Sequence, residues 1–174
     1  MRILFVMLFT LLAGCTNSRK ENYEILDNST FKVYTARGSG TAFVFQGRTI
    51  SVGHVCAGNP TLSAKHKGRL YTLTVLRIHP VYDLCELSGG PKIEGITHMA
   101  FLPPSRLSTL YGAGSAYGQP VSFTEGIVQG SAVARFPTPH CSSDPGVHTM
   151  CLRVYVALGS TMPAYPGNSG SPVI

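Results

Sequence analysis

Tryptophan is missing from this 174-residue chain, and charge is scarce: 13% of the residues are Asp, Glu, Lys or Arg. Sparse charge beside 44% hydrophobic residues excludes an intrinsically disordered chain, which stays unfolded through high net charge and few apolar side chains. Long hydrophobic runs are lacking too. None reaches the ~18 residues that a membrane-spanning helix requires, and no stretch keeps a helical apolar period over twelve residues. Acid is the rarer charge: 8 Asp and Glu against 14 Lys and Arg give a net charge of +6. Only three acids are aspartates, Asp27, Asp83 and Asp144. The cations are scattered, apart from Lys65, Lys67 and Arg69, and such a spread serves solubility rather than nucleic-acid binding. Turn residues, by contrast, abound. With 19 Gly and 12 Pro, a helical bundle or coiled coil is excluded, and the length suits one domain or two small lobes.

The start of the chain reads as an export signal. Met1-Arg2 is positive, and Ile3–Gly14 then runs twelve residues with Thr10 as the only polar side chain. That is the length of a signal-peptide apolar region and too short to span a bilayer. It closes on Leu12-Ala13-Gly14-Cys15, which resembles the lipobox of bacterial lipoproteins. The resemblance implies cleavage before Cys15 and lipid on its thiol, with several acyl chains giving firm anchoring. Thr16, rather than Asp, follows the cysteine, and in Gram-negative lipoproteins that sorts to the outer membrane, on its periplasmic side. Residues 1–14 are therefore expected to be the signal peptide. Residues 15–30 are expected to be the lipidated cysteine and a polar tether.

Export places the chain where thiols pair. With lipid on Cys15, four of the five cysteines remain. Cys141 and Cys151 flank a loop containing Asp144-Pro145-Gly146, so a hairpin bridge Cys141–Cys151 is expected, which leaves Cys56 with Cys85. Each bridge contributes about 2–4 kcal/mol. Zinc held by these cysteines and a His is the rival reading. It lacks the paired short spacing such sites need, so no metal or other cofactor is expected.

Beyond the tether, β-branched and aromatic residues gather in short runs separated by Gly, Pro and Asn. Strands are expected at Phe31–Tyr34, Thr41–Phe45, Thr49–Val52, Arg69–Ile78, Leu84–Leu87, Ile96–Leu102, Val121–Val128, Ala132–Phe136 and Leu152–Leu158. Many short strands with regular turns mean an all-β sandwich or barrel. Pro103-Pro104-Ser105 divides the chain into a lobe at 31–102 and a second at 103–174.

Three segments carry chemistry. Pro166-Gly167-Asn168-Ser169-Gly170-Ser171-Pro172 sets a serine between glycines, as an exposed nucleophile and nearby oxyanion donors require. Chain order decides which serine chemistry is possible. An α/β-hydrolase places its acid and His after the Ser, yet the five residues after Ser169 include neither. A subtilisin order would need Asp27 and alternating strands and helices, which are missing. The order His, Asp, Ser remains, as in chymotrypsin-like barrels. It is filled by His54 in Ser51-Val52-Gly53-His54-Val55-Cys56 and by Asp83 at the entry to an apolar strand. An acid there is expected to be buried against the imidazole and to fix its tautomer.

These segments resemble trypsin-like serine peptidases, closest to the bacterial HtrA/Deg branch. Gly38-Ser39-Gly40-Thr41-Ala42-Phe43 looks like the family's opening strand, Ser51–Cys56 like its Ala-Ala-His-Cys segment, and Tyr82-Asp83-Leu84 like Asp-Leu-Ala. Tyr117–Val128 resembles Gly-x-Pro followed by Thr-x-Gly-Ile-Val, and Pro166–Pro172 resembles Pro-Gly-Asn-Ser-Gly-Gly-Pro. The resemblance implies an all-β, two-lobed antiparallel chymotrypsin-like barrel acting on protein or peptide substrates. His54 would be general base and then acid, Asp83 its orienting partner, Ser169 the nucleophile, and the N–H groups of Gly167 and Ser169 the oxyanion hole. Asn168 cannot form the ion pair that secreted trypsins make after activation, so no zymogen step is expected. Ser171 stands where the family has a second glycine, and a side chain there crowds a tight turn. The family continues for several strands beyond the position of Ile174. The second barrel is therefore expected to be incomplete, through truncation or completion by a partner. Thr161–Tyr165, before the serine, holds no acid to receive Lys or Arg, so small or medium apolar side chains are the expected specificity. A catalytically silent barrel serving as a binding lipoprotein is the alternative function, and an esterase on the same triad a third.

Overall fold

The computed structural model describes residues 19–79, 82–99, 104–138 and 151–174. Cys15, the signal segment and Cys141, with its proposed bridge to Cys151, lie outside them. Asp144 lies outside as well. The first lobe contains β1 (Thr30–Thr35), β2 (Gly38–Phe45), β3 (Arg48–Ser51), β4 (Thr61–His66), β5 (Arg69–Ile78) and β6 (Cys85–Ser88). They form a closed antiparallel barrel in the order β1-β2-β3-β6-β5-β4, sealed by pairing of β1 with β4 at Lys32↔Lys65, Val33↔Ala64 and Tyr34↔Ser63.

Alternation explains the barrel. Along β4, Leu62, Ala64 and His66 are buried while Thr61, Ser63 and Lys65 are exposed, the period of two that a pleated strand imposes. Phe31, Val33, Ala42, Val44, Leu73 and Leu87 fill the interior with them. Two hairpins turn on Gln46-Gly47 and Lys67-Gly68, with φ of +48° and +74°, and of +45° and +80°. Two consecutive left-handed residues make the tight turn whose twist matches its strands. Lys67-Gly68 was not legible as a turn, because a lysine rarely opens one. That obscured β4, whose inward side chains include a small Ala and a His.

The second lobe is a sheet β7-β8-β9 formed by β7 (Thr109–Gly114), β8 (Ser122–Thr138) and β9 (Cys151–Ser160). Its first two strands flank a short 3₁₀ turn, Ala116–Gly118. The expected runs Val121–Val128 and Ala132–Phe136 are one bulged strand, with a register shift between Val128 and Gly130. The final residues return to β7: the N–H groups of Tyr111 and Ile174 each donate to the other's carbonyl at 2.8 Å. Two glycines hide β7 in the sequence, and both sit against side chains of the returning C-terminal segment. A Cβ on Gly112 would lie 3.0 Å from Met162 Sδ, and one on Gly114 would lie 2.1 Å from Ser171 Oγ.

Two expectations are corrected. Ile96–Leu102 is not a strand in its described part; Ile96 alone bridges to Phe45. Gly95, just before it, is left-handed with φ of +71° and so not extended, and its backbone passes so near Val44 that a Cβ would lie 2.3 Å from the Val44 carbonyl oxygen. Residues 19–29, read as tether, instead form helix α1. Leu26 is fully buried, and the Tyr23 ring stands edge-on to Tyr111 and Phe123, with centroids 5.4 and 5.2 Å away. Arg19 donates to Glu125 Oε2 at 2.5 Å, and the Tyr23 hydroxyl donates to the same atom at 3.1 Å. Tyr23 and Leu26 supply most of the docking face, too few apolar positions to register as a helical period. Among the described residues, no helix is long and apolar enough to cross a membrane.

Candidate functional site

His54 stands on a single helical turn, α2 (Gly53–Cys56), directly after β3. Asp83 lies two residues before β6, the strand paired with β3. A disulfide joins Cys56, at the end of that turn, to Cys85, the first residue of β6, with Cα atoms 6.5 Å apart. The expected Cys56–Cys85 pairing is therefore present, and it ties the His-bearing turn to the strand that delivers the aspartate.

Both carboxylate oxygens of Asp83 engage His54. The backbone N–H of His54 donates to Oδ1 at 2.7 Å, and its Nδ1 lies 2.5 Å from Oδ2. Gly53 leaves room for this approach, since a Cβ there would lie 2.9 Å from Oδ1. An ionised carboxylate only accepts hydrogen bonds, so the pair holds the ring proton on Nδ1 and leaves Nε2 as the basic nitrogen. Asp83 is not buried as expected. The two side chains are 58% and 56% exposed. An ion pair this open adds little stability, so the bidentate grip matters for orientation.

Ser169 occupies a segment whose backbone is fixed at every step. The Pro166 carbonyl accepts from Tyr117 N–H at 2.6 Å, and that of Asn168 from Ser171 N–H at 2.9 Å. The Gly167 carbonyl accepts from Thr41 Oγ1 at 2.9 Å, and that of Ser169 from Thr41 N–H at 2.8 Å. In a trans peptide the N–H points opposite the carbonyl. The bonds to the Pro166 and Asn168 carbonyls therefore set the directions of the Gly167 and Ser169 N–H groups. Among the described residues, neither N–H donates to a protein acceptor. Gly167 and Gly170 have φ of +93° and +88°, and a Cβ on either would strike a carbonyl, that of Ser115 or of Thr41.

Thr41 is the residue that the sequence reading missed. It is completely buried. Besides its two bonds to the serine segment, its Oγ1 accepts from Ser115 N–H at 3.0 Å, and its carbonyl accepts from Ser51 Oγ at 2.7 Å. Ser51 ends the strand that leads to His54, so Thr41 bridges the two halves of the site. Gly40 lies between them: a Cβ there would be 2.8 Å from Val55 and 3.3 Å from the Ser169 carbonyl oxygen. The structure thus joins His54 to Asp83 directly and brings the Ser169 backbone to the strand beside them. No hydrogen bond links Ser169 Oγ to His54 among the described residues, and such bonds tighten commonly only with substrate bound. Ser171 is accommodated by Gly114. Its Oγ and Asn168 Oδ1 are buried there without partners among the described residues.

No group of three His, Cys, Asp or Glu among the described residues is placed to hold a metal ion. No protein-family model and no curated protein sequence matches the chain. Solved structures do. The active form of the Rv3671c protease from M. tuberculosis superposes with a TM-score of 0.71 at 18% identity, over 87% of this chain and 67% of that one. A serine endoprotease from Yersinia pestis superposes with a TM-score of 0.64 at 14% identity, over 87% of this chain and 51% of that one. The HtrA-type protease AlgW gives 0.64 at 18% identity, over 87% and 48%. The fold is accordingly the all-β, two-lobed fold of the trypsin-like serine peptidases, with a closed first barrel and a partial second sheet.

Proposed function

We propose that this protein is a serine endopeptidase that cleaves peptide bonds through an acyl-enzyme. Ser169 Oγ attacks the carbonyl carbon while His54 Nε2 takes its proton. Asp83 stabilises the imidazolium through Nδ1. The Gly167 and Ser169 N–H groups receive the developing oxyanion. His54 then protonates the departing amine, and water repeats the sequence to release the acid. The observation that carries this reading is the double grip of Asp83 on His54, because it leaves one defined basic nitrogen. The four anchored carbonyls from Pro166 to Ser169 support it by holding the candidate oxyanion donors before substrate arrives. Peptide substrates with small or medium apolar residues at the cleaved bond suit the acid-free Thr161–Tyr165 stretch. Activity requires no zymogen cleavage, since Asn168 offers no carboxylate for a new N-terminus to pair with.

The lipobox-like Leu12–Cys15 supports anchoring through a lipidated Cys15 to the outer membrane, facing the periplasm. Incorporation of labelled palmitate that is lost in Cys15→Ser tests the anchor. The chemistry is tested by treating the oxidised full chain with a fluorophosphonate probe beside Ser169→Ala and His54→Ala. Labelling of the parent protein alone is the expected result. No labelling of a folded parent would instead favour the catalytically silent, binding-lipoprotein reading.

A further inference from the structure

The geometry points to a phosphate-binding site on the first barrel, in an open cavity of about 450 Å³ lined by Lys32, Lys65 and Lys67. Lys32 and Lys65 are direct partners across the β1–β4 pair that closes the barrel. Like charges directly opposite each other on adjacent strands repel, and the pairing is destabilising unless something anionic lies between them. Nothing among the described residues does so, for neither lysine forms an ion pair there. Lys32 Nζ meets the carbonyl of Gly118, and its ammonium lies 4.6 Å from the centre of the Tyr34 ring. Lys67 reaches Asp27 at 3.6 Å, the one acid in the cavity wall, so the wall keeps a surplus of positive charge.

A second observation points to a ligand. Thr30 also lines this cavity; it is only 2% exposed, and its Oγ1 has no hydrogen-bond partner among the described residues. A buried hydroxyl left unpaired is costly, and a ligand oxygen would satisfy it. Two lysines paired across adjacent strands, in one cavity with an unsatisfied hydroxyl in its wall, suit a tetrahedral, multiply acceptor anion. A phosphate group has that shape and charge, whether as free phosphate or in an anionic lipid headgroup. The site is independent of the peptidase reading.

Thermal unfolding of the full chain in dodecylmaltoside micelles tests the proposal. One arm adds inorganic phosphate, with chloride at equal ionic strength as its control. A second arm dopes the micelles with phosphatidylglycerol, with diacylglycerol as its control. Phosphate or phosphatidylglycerol is expected to raise the melting temperature saturably, where chloride and diacylglycerol do not. Lys65→Gln should weaken the apparent affinity at least ~10-fold, as expected for loss of a charge-assisted hydrogen bond. Lys65→Arg and the distant Lys92→Gln should preserve it. Because Lys65→Gln also removes the cross-strand repulsion, its ligand-free melting temperature should equal or exceed that of the parent. A response to phosphate alone assigns the site to free phosphate, one to phosphatidylglycerol alone to a headgroup, and one to both to the shared group. A response equalled by the controls, unchanged in Lys65→Gln, or missing in both arms overturns the proposal.

Discussion

The two lobes hold their parts of the site by different means. In the first, His54 and Asp83 stand beside paired strands β3 and β6 of a closed barrel, and a disulfide fastens the turn of one to the start of the other. In the second, Ser169 sits on an irregular segment with no strand of its own. It is held by hydrogen bonds from Thr41 and Tyr117, residues distant in sequence. Geometry built inside one barrel survives changes elsewhere. Geometry that spans two lobes depends on a few reaching groups, with Thr41 foremost.

The largest expected effect breaks the first half alone. Asp83→Asn should lower kcat about 10⁴-fold through the wrong imidazole tautomer, a loss of the size known for this constellation. The pair is so exposed that the melting temperature should hardly move. Titration of peptide hydrolysis against a circular dichroism melt separates the two readouts.

Next in size is the disulfide. Replacing both Cys56 and Cys85 with Ala reopens a loop spanning 29 residues. The chain-entropy relation then gives a loss of about 3–4 kcal/mol. Denaturant unfolding should show it, and with Cys141 and Cys151 replaced in both proteins a reductant should do the same to the one that keeps Cys56 and Cys85 and nothing to the other.

The second half is broken by Thr41→Val, which keeps the shape but removes the hydroxyl that bonds Gly167 and Ser115. With the proposed oxyanion donors misplaced, kcat should fall about 10²-fold. KM should stay near its parent value, and Thr41→Ser should restore the rate. An equal fall in Thr41→Ser would show that the methyl group, rather than the hydroxyl, matters.

The smallest effect concerns the barrel itself. His66 is buried edge-on to Phe31, with ring centroids 5.7 Å apart. Burial, with help from the Lys67 charge, lowers its pKa below the usual 6.5, against a hydrogen bond to the Thr30 backbone and the pull of Asp27. The unfolded chain therefore binds the proton more readily. Stability from neutral His66 is complete above about pH 6.5 and is lost as pH falls through that value towards the lower folded pKa. His66→Phe should flatten the pH dependence of melting between pH 7 and 5, which melting curves across that range would show.

Much of the site was legible because its signals are local. Glycines on both sides of Ser169 and the Gly53-His54 step each express a constraint within a few residues, and the Cys56–Cys85 pair followed by elimination once the other cysteines were assigned. Chain order then excluded the competing serine folds without any three-dimensional information. The helix at 19–29 and strand β7 were not legible, since what stabilises them lies far away in sequence: Tyr23 needs Tyr111 and Phe123, and Gly112 and Gly114 need the returning C-terminal segment. Thr41 looked like one more strand residue. Nothing around it in sequence marks a side chain whose partner, Gly167, lies 126 residues on.

By itself, the sequence determined an all-β chain with a His, an Asp and a Ser in one viable order, because turn residues and alternation act over a few positions. Only the tertiary structure decided that Asp83 would grip His54 with both oxygens and that Thr41 would lock the serine segment. It also decided that Lys32 would face Lys65. Each depends on strand register and barrel closure, which set distances between residues that no local pattern connects.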